Sequence, residues 1–194
     1  MTGPFARTTL LAIALAVSAP LVSGGCGAPD TAPASAPTST PAAASADDVA
    51  PYPYTVDQIR AGCHGRVLEY EMAVAGGPPK RQRWEFSDVD RETVTVTTTH
   101  LDADGKAVGA PESKSAKWTE LHEHARFPRA RATLSEETLT LPFGTLECVR
   151  YVVRGTEGTK TYWFAKTLPG PPVKMIVEKD GKTVMTMTMV QNRS

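Results

Sequence analysis

The stretch from residue 139 to residue 190 constrains the fold most, because β-type runs alternate in it with compact turns. Runs of about five to nine residues rich in Val, Thr, Tyr, Trp and Phe are typical of strands, and tight turns between them make neighbouring strands antiparallel. The turn signals are Pro142-Phe143-Gly144, Gly155-Thr156-Glu157-Gly158, Leu168-Pro169-Gly170-Pro171-Pro172 and Asp180-Gly181. The stretch therefore predicts an antiparallel meander.

The same pattern extends back to residue 51. In residues 66–74, Leu68, Tyr70 and Met72 alternate with glutamates, which predicts a strand with one apolar face. Further strands are predicted around Trp84 and Phe86, over 93–101 with a short return at 106–109, and over 130–134 and 138–141 as a hairpin turning at 135–137.

Two short helices interrupt the strands. Thr55 and Gln58 have the spacing of a capping box, which predicts a helix that ends at Gly62. Apolar residues at helical spacing predict a second helix from Trp118 to Ala125.

These elements, about nine or ten strands and two short helices, indicate a mainly β protein. Short connections between strands favour an antiparallel sheet, and a sheet of this many strands must curl, close or fold over on itself. We predict a single antiparallel curved sheet or half-barrel that wraps the helical segments, with a β-sandwich as the alternative.

The N-terminus is typical of an exported protein. The apolar run of 12 residues from Thr8 to Ala19 is too short to span a bilayer, so residues 1–25 are predicted to be a signal peptide. The run from Leu21 to Cys26 resembles a bacterial lipobox, although Ser23 stands where that motif prefers Leu. The resemblance implies lipid attached to Cys26, and acyl chains there would anchor the protein to a membrane. The alternative is an ordinary signal peptide followed by an unrelated cysteine.

Residues 26–50 are predicted to be a lipidated cysteine followed by a disordered linker. The linker consists mostly of Ala, Pro, Ser, Thr and Asp, with prolines at positions 29, 33, 37 and 41. It has no large apolar residue between Ala28 and Asp48 that could offset the entropy of ordering. The remaining residues, 51–194, are enough for one domain with its own core.

Charge excludes two classes of partner. Residues 51–194 contain 20 basic and 18 acidic side chains, without the basic stripe that nucleic-acid binding requires. They also lack a polybasic segment for a membrane surface. We therefore predict no nucleic-acid partner, and a membrane partner only through the lipid.

Two runs resemble a known group of proteins. They are Pro142–Cys148 and the Tyr162-Trp163-Phe164 run that precedes Pro169–Lys174. Over residues 137–190 the chain is similar to secreted proteins and lipoproteins of bacterial envelopes, some of which are distantly like the periplasmic lipoprotein carriers. The resemblance implies a curved half-barrel that holds acyl chains. It also implies a location in the cell envelope, and we expect the periplasmic face of the outer membrane. It transfers no catalytic residue.

Candidate chemistry is sparse. Cys63 and Cys148 remain after Cys26 is assigned to lipid, and an even pair in an oxidising compartment predicts a disulfide, with two buried thiols as the alternative. The four histidines have no metal-ligand spacing, and no Gly-x-Ser-x-Gly or glycine-rich phosphate motif is present. We predict no metal, no cofactor and no catalytic residue. A hydrolase with an unrecognised site is a minor alternative.

A row of methionines suggests a binding surface. Met185, Met187 and Met189 alternate on one face of the last predicted strand. Methionine fills cores, lines adaptable apolar sites and can ligate Cu(I), and core packing is the ordinary interpretation. The candidates for lining an apolar ligand site are Trp84, Phe86, Tyr151, Trp163, Met185, Met187 and Met189.

The sequence thus predicts a lipid-anchored envelope protein whose β domain is a non-catalytic binding or structural module. The alternative is a carrier of a lipid or other apolar ligand in the concave sheet. Its partners would be an apolar small molecule or an envelope protein. A closed core favours the module, and an open apolar groove of several hundred Å³ favours the carrier.

Overall fold

A computed structural model describes residues 48–194. The predicted signal peptide, Cys26 and the linker up to residue 47 lie outside the described residues. The elements in chain order are α1 (Val56–Cys63), β1 (Val67–Val74), β2 (Lys80–Ser87), β3 (Thr93–Leu101), β4 (Glu112–Lys117), α2 (Trp118–Glu123), a 3-10 turn (Arg129–Arg131), β5 (Ala132–Leu141), β6 (Gly144–Gly155), β7 (Gly158–Ala165), β8 (Lys174–Lys179) and β9 (Lys182–Arg193).

The nine strands form one open, curved antiparallel sheet in the order β4-β3-β2-β1-β9-β8-β7-β6-β5. Strands β1 to β4 make one meander and β5 to β9 another, and pairing of β1 with β9 joins the two. The predicted single antiparallel sheet and its strand number are confirmed, and the chain does not form the sandwich that was the alternative.

The sheet has two faces of different character. The inner face carries Leu68, Tyr70 and Met72, and the segment before α1 and the residues after α2 pack against it. The ring of Tyr54 meets that of Phe164 edge-on, with centroids 6.1 Å apart. The ring centroids of Phe127 and Tyr151 are 5.5 Å apart. Because these aromatic groups leave water together, the helical segments cover one end of the inner face.

Helix α1 begins as its sequence predicts. Thr55 Oγ1 accepts a hydrogen bond from the Gln58 backbone N–H at 3.2 Å, and Gln58 Oε1 accepts one from the Thr55 N–H at 2.8 Å. This reciprocal pair satisfies donors that the first turn of a helix leaves free. Helix α2 is two residues shorter than predicted and ends at Glu123.

Two strand predictions were wrong. No hairpin turns at residues 135–137, since β5 runs unbroken from Ala132 to Leu141 opposite β6. As the edge strand it tolerates exposed Ser135 and Glu136 without turning. The return at 106–109 amounts to a single bridge, Leu101 to Ala107. The true partner of β3 is β4, whose polar residues show no apolar alternation because it is the other edge strand.

Two turns depend on glycine. Asp180 and Gly181, with φ of 52° and 71°, join β8 to β9 in a two-residue turn that matches the twist of a hairpin. At the start of β7, Gly158 has a φ of 126°, and a Cβ there would strike the backbone carbonyl of Glu178. Only glycine therefore allows β7 and β8 to approach at this point.

The chain joins the fold just ahead of the predicted boundary at residue 51. Val49 forms a bridge with Pro128, and the Ala50 N–H donates to the Phe127 carbonyl at 2.8 Å. Within residues 48–194, none of the helices combines the length and the apolar run that crossing a bilayer requires.

Candidate functional site

The residues predicted to line an apolar site are divided by the sheet. Phe86 and Tyr151 lie on the inner face but are only 4% and 1% exposed, so they belong to the core. Met187 and Met189 are buried on the same face. Trp84 and Met185 are the two inner-face candidates that remain partly open to solvent.

Trp163 lies on the opposite, outer face. It is the register partner of Arg150 in β6 and of Lys174 in β8. The guanidinium carbon of Arg150 is 5.6 Å and the Lys174 Nζ is 5.1 Å from the Trp163 ring centroid. The indole N–H donates to Glu137 Oε2 at 3.0 Å. Cation–π contacts and this hydrogen bond hold the ring in place. Because the ring lies on the outer face, Trp163 does not line the same surface as the methionines.

The covered end of the inner face is a closed core. The Tyr151 hydroxyl donates to the Pro51 carbonyl at 2.8 Å, which ties the segment before α1 to β6. The Tyr54 hydroxyl donates to the Ala165 carbonyl at 2.5 Å and ties the same segment to β7. Trp118 at the start of α2 is 1% exposed. The buried aromatic side chains fill this end of the inner face.

The other end of the inner face is an apolar surface rich in methionine. Strand register places Met72 of β1 opposite Met187 of β9, and Met187 opposite Met175 of β8. Met185 lies one row further out. We call Met72, Met175, Met185 and Met187 the methionine patch. Met175 and Met185 are half-buried, whereas Met72 and Met187 are 6% and 4% exposed.

Apolar and basic side chains border the methionine patch. Val74, which is 43% exposed, and half-buried Val177 lie on either side of Met185 in the outer row. Lys80 lies opposite Met72, and exposed Lys160 lies opposite Val177. The patch is therefore an apolar surface with ammonium groups beside it, and it is our candidate functional site.

Two open cavities of the described residues are bordered by charged side chains. One of about 920 Å³ is lined by Arg60, Ala61, His64, Val89, Asp90 and Arg91. The other, of about 330 Å³, is lined by Gly65, Val67, Arg83, Glu85, Arg193 and Ser194. Because both cavities are open to solvent and charged side chains contribute to both linings, neither matches the apolar cavity that a carrier of acyl chains would need.

Two charged groups of the larger cavity, Asp90 and Arg60, stabilise local structure. The Asp90 carboxylate accepts hydrogen bonds from the N–H groups of Thr93 and Glu92 and from the Thr93 hydroxyl. These bonds, led by the one from the Thr93 backbone, hold the pKa of Asp90 below its usual value. Arg60 pairs with Asp57 at 2.9 Å within α1. The carboxylate is therefore committed to a turn and is not placed as a general base.

A second ionic cluster lies on the outer face. Glu69 of β1, with only 5% of its side chain exposed, receives Arg81 at 3.0 Å, Arg83 at 2.9 Å and Arg193 at 3.2 Å. These arginines belong to β2 and β9, the two strands that flank β1. The cluster therefore fastens the strand pairs at the junction of the two meanders.

The structure contains Cys63 and Cys148 as fully buried free thiols. Burial raises the pKa of Cys63 to about 11, although the nearby Arg66 guanidinium opposes the shift. Burial, with a smaller contribution from Glu137, also raises the pKa of Cys148. Both thiols are therefore neutral near pH 7 and poor nucleophiles. The predicted bridge is not formed in this structure, and a disulfide in the exported protein stays a prediction.

The histidines are scattered. His122 stacks on Tyr52 with ring centroids 3.8 Å apart, and His100 Nδ1 is 3.3 Å from Gln82 Nε2. Between Asp48 and Ser194, no three His, Cys, Asp or Glu side chains come together as metal ligands. Methionines, by contrast, occupy opposing register positions on β1, β9 and β8, and sequence spacing alone revealed only those of β9.

No family model matches the sequence, and no curated protein matches it. Among solved structures, it is similar to MucB in complex with MucA(peri), with 9% identity and a TM-score of 0.49 over 71% of this chain and 53% of MucB. The chain thus spans about half the length of that neighbour. An exported protein with a YmcC-like fold from Bacteroides fragilis has 10% identity and a TM-score of 0.42, over 67% of this chain and 96% of that one.

An outer membrane lipoprotein-sorting protein domain from Vibrio parahaemolyticus has 10% identity and a TM-score of 0.27, over 71% of this chain and 90% of that one. None of these likenesses identifies a ligand, a partner or a reaction for this chain. The resemblance of residues 137–190 to envelope lipoproteins and to acyl-chain carriers stays a prediction.

Proposed function

We propose that this protein is a non-catalytic binding module of the bacterial cell envelope, held at a membrane by lipid on Cys26. The observation that supports it most is the division of the inner face into a closed core at one end and the open methionine patch at the other. A purely structural domain gains nothing from leaving Met175, Met185 and Val177 half-exposed. Exposed apolar surface bordered by polar groups is typical of binding sites.

The absence of enzymatic activity is part of the proposal. Two charged groups of the larger cavity are engaged in local structure, Asp90 in a turn and Arg60 in a helix. The thiols of Cys63 and Cys148 are buried, and their raised pKa values keep them neutral near pH 7. Neither thiol is therefore placed as the activated nucleophile that covalent catalysis needs.

A second candidate function is that of a carrier for a lipid or other apolar ligand. The methionine patch supports it, because unbranched thioether side chains adapt to ligands of different shape. Lys80 and Lys160 beside the patch would suit an amphiphile with an anionic head. The ligand would lie on the open end of the sheet, since aromatic rings occupy the space beneath the cover.

Binding of the fluorescent fatty acid cis-parinaric acid by the full-length protein tests the carrier function. We expect a saturable rise in fluorescence that Met185→Glu weakens about tenfold or more, equivalent to about 1.4 kcal/mol. A carboxylate at that position would repel the acid and keep water on the patch. The matched control is Thr186→Glu, which places the same charge one residue away on the outer face. Equal binding by both variants, or no saturable binding at all, would reject the carrier.

Metabolic labelling with an alkyne fatty acid tests the anchor. We expect the wild-type chain to take up label and to fractionate with membranes, and the Cys26→Ala variant to lose the label. Cys63→Ala is the control, because Cys63 is fully buried and should not affect labelling. A Cys26→Ala protein that keeps the label would show that the lipid, if any, is elsewhere.

A further inference from the structure

Five of the six methionines of the sequence lie on three neighbouring strands. Met72 is on β1, Met185, Met187 and Met189 are on β9, and Met175 is on β8. All five belong to the inner face, because register pairs Met72 and Met175 with Met187, and residues two apart on a strand share a face. Pairing between distant parts of the chain therefore concentrates thioether sulfur at one place.

The register allows three of these sulfurs to meet. Met187 lies between Met72 and Met175 in one row across the sheet. Residues directly opposite each other on antiparallel strands have Cβ atoms about 4.5–5.5 Å apart. A methionine sulfur stands two bonds beyond Cβ on a flexible stem. The side chains of Met72 and Met175 can therefore lean toward each other over Met187.

The surroundings favour a soft, singly charged ion. Met72 and Met187 are almost fully buried, while Met175 and Met185 are partly exposed to solvent. The nearest residues across the strands are valines, Tyr162 and Lys80, so no carboxylate lies opposite the patch. Hard divalent cations prefer oxygen ligands, whereas thioethers select Cu(I).

We propose that the methionine patch binds one Cu(I) ion through the thioether sulfurs of Met72, Met175 and Met187, with Met185 at the entrance. Packing explains Met189, which is fully buried opposite Tyr70. At the partly open positions, leucine or isoleucine would pack equally well, and only sulfur adds metal affinity. The site uses no oxidation or reduction by the protein, and it does not depend on the binding of an apolar ligand.

The first test is nuclear magnetic resonance of full-length protein, in detergent, labelled at its methionine methyl groups. Ag(I) serves as the probe, since it has the ligand preference of Cu(I) without its redox chemistry. We expect one equivalent of Ag(I) to shift the methyl signals of Met72, Met175 and Met187 and to leave that of Met189 in place. Methyl signals that do not move on addition of Ag(I) would overturn the proposal.

The second test is competition for Cu(I) against the chelator bicinchoninate under reducing conditions. We expect Met187→Leu to weaken Cu(I) binding by at least about tenfold, since even an outer partner of a metal ligand contributes 10- to 100-fold. Leucine conserves volume, so the fold should persist. The matched control is Met189→Leu, two residues along the same strand, which should bind Cu(I) as the wild type does.

Thiols need a separate control because they also bind Cu(I). A Cys63→Ser, Cys148→Ser double variant should keep both the affinity for Cu(I) and the methyl shifts. If its binding disappears while its methionine signals show a native fold, the metal belongs to the cysteines and the proposal fails. If the double variant does not fold, the methyl shifts of the wild-type protein still show whether methionine or cysteine sulfur binds the metal.

Discussion

Replacing Arg66 by alanine is expected to lower the free energy of unfolding by about 3–5 kcal/mol. The guanidinium group is buried, with the residue only 3% exposed. Its Nε donates to Asn192 Oδ1 at 2.6 Å, and Nη1 donates to the carbonyls of Pro169 at 2.8 Å and Gly62 at 3.2 Å. One side chain thus joins β9, the β7–β8 connection and the end of α1, and alanine would leave three partly buried acceptors unpaired. Urea-induced unfolding of the full-length protein measures the change.

The control is Arg91→Ala, which removes an exposed arginine and should change the unfolding free energy by no more than about 0.5 kcal/mol. Arg66→Lys should recover only part of the loss, because an ammonium group cannot reproduce the planar fork of donors. If the Arg66→Ala and Arg91→Ala proteins were equally stable, water would replace the guanidinium group at the three acceptors. Arg66 would then contribute little to the stability of the fold.

Replacing Trp118 by alanine is expected to cost about 3–5 kcal/mol, the range for deleting a large buried aromatic side chain. The ring is 1% exposed, and its Nε1 donates to the Asp90 carbonyl at 3.1 Å. The Trp118 backbone N–H also donates to the Glu92 carbonyl at 3.0 Å. Trp118 therefore fastens α2 to the turn between β2 and β3, and chemical denaturation of the full-length protein measures its contribution.

Trp118→Phe separates the two parts of this effect. It keeps most of the apolar contact and loses the hydrogen bond to Asp90, so we expect it to cost about 1–3 kcal/mol. Leu134→Ala is the matched apolar control, because Leu134 is 38% exposed on edge strand β5 and should cost far less. A Trp118→Ala protein no less stable than Leu134→Ala would contradict the role of Trp118 as an anchor.

Both predictions concern the cover of the inner face. Arg66 and Trp118 hold the helical segments in place, whereas the methionine patch lies beyond them. Ligand binding at the patch should therefore survive the conservative variants Arg66→Lys and Trp118→Phe. A ligand that entered beneath the cover would instead respond to them, because its site would be formed by the segments they hold.

Local patterns predicted the elements well where particular residue types determine the backbone conformation. The capping box of Thr55 and Gln58 formed as expected, and so did the turn at Asp180 and Gly181. Alternation of Leu68, Tyr70 and Met72 correctly placed these side chains on one face. The predicted hairpin at residues 135–137 failed because Ser and Glu favour a turn only when no partner strand competes, and β6 supplies ten backbone partners.

The candidate site was predicted only in part. Met185, Met187 and Met189 share a strand, so their common face follows from a period of two. Nothing local marked Met72 as their neighbour, because it joins them through the pairing of β1 with β9 across most of the domain. Trp163 was placed with the methionines on its apolar character, yet register puts it on the other face.

By itself, the sequence determined that the domain would be a single curled antiparallel sheet, since turn residues and alternating side chains act within a few residues of each other. Tertiary structure alone decided which strands lie side by side, which end of the inner face the helical segments fill, and which methionines lie opposite one another across the sheet. The physical reason is that strand pairing depends on backbone groups common to all residues, so distant partners are chosen by the packing of the whole sheet.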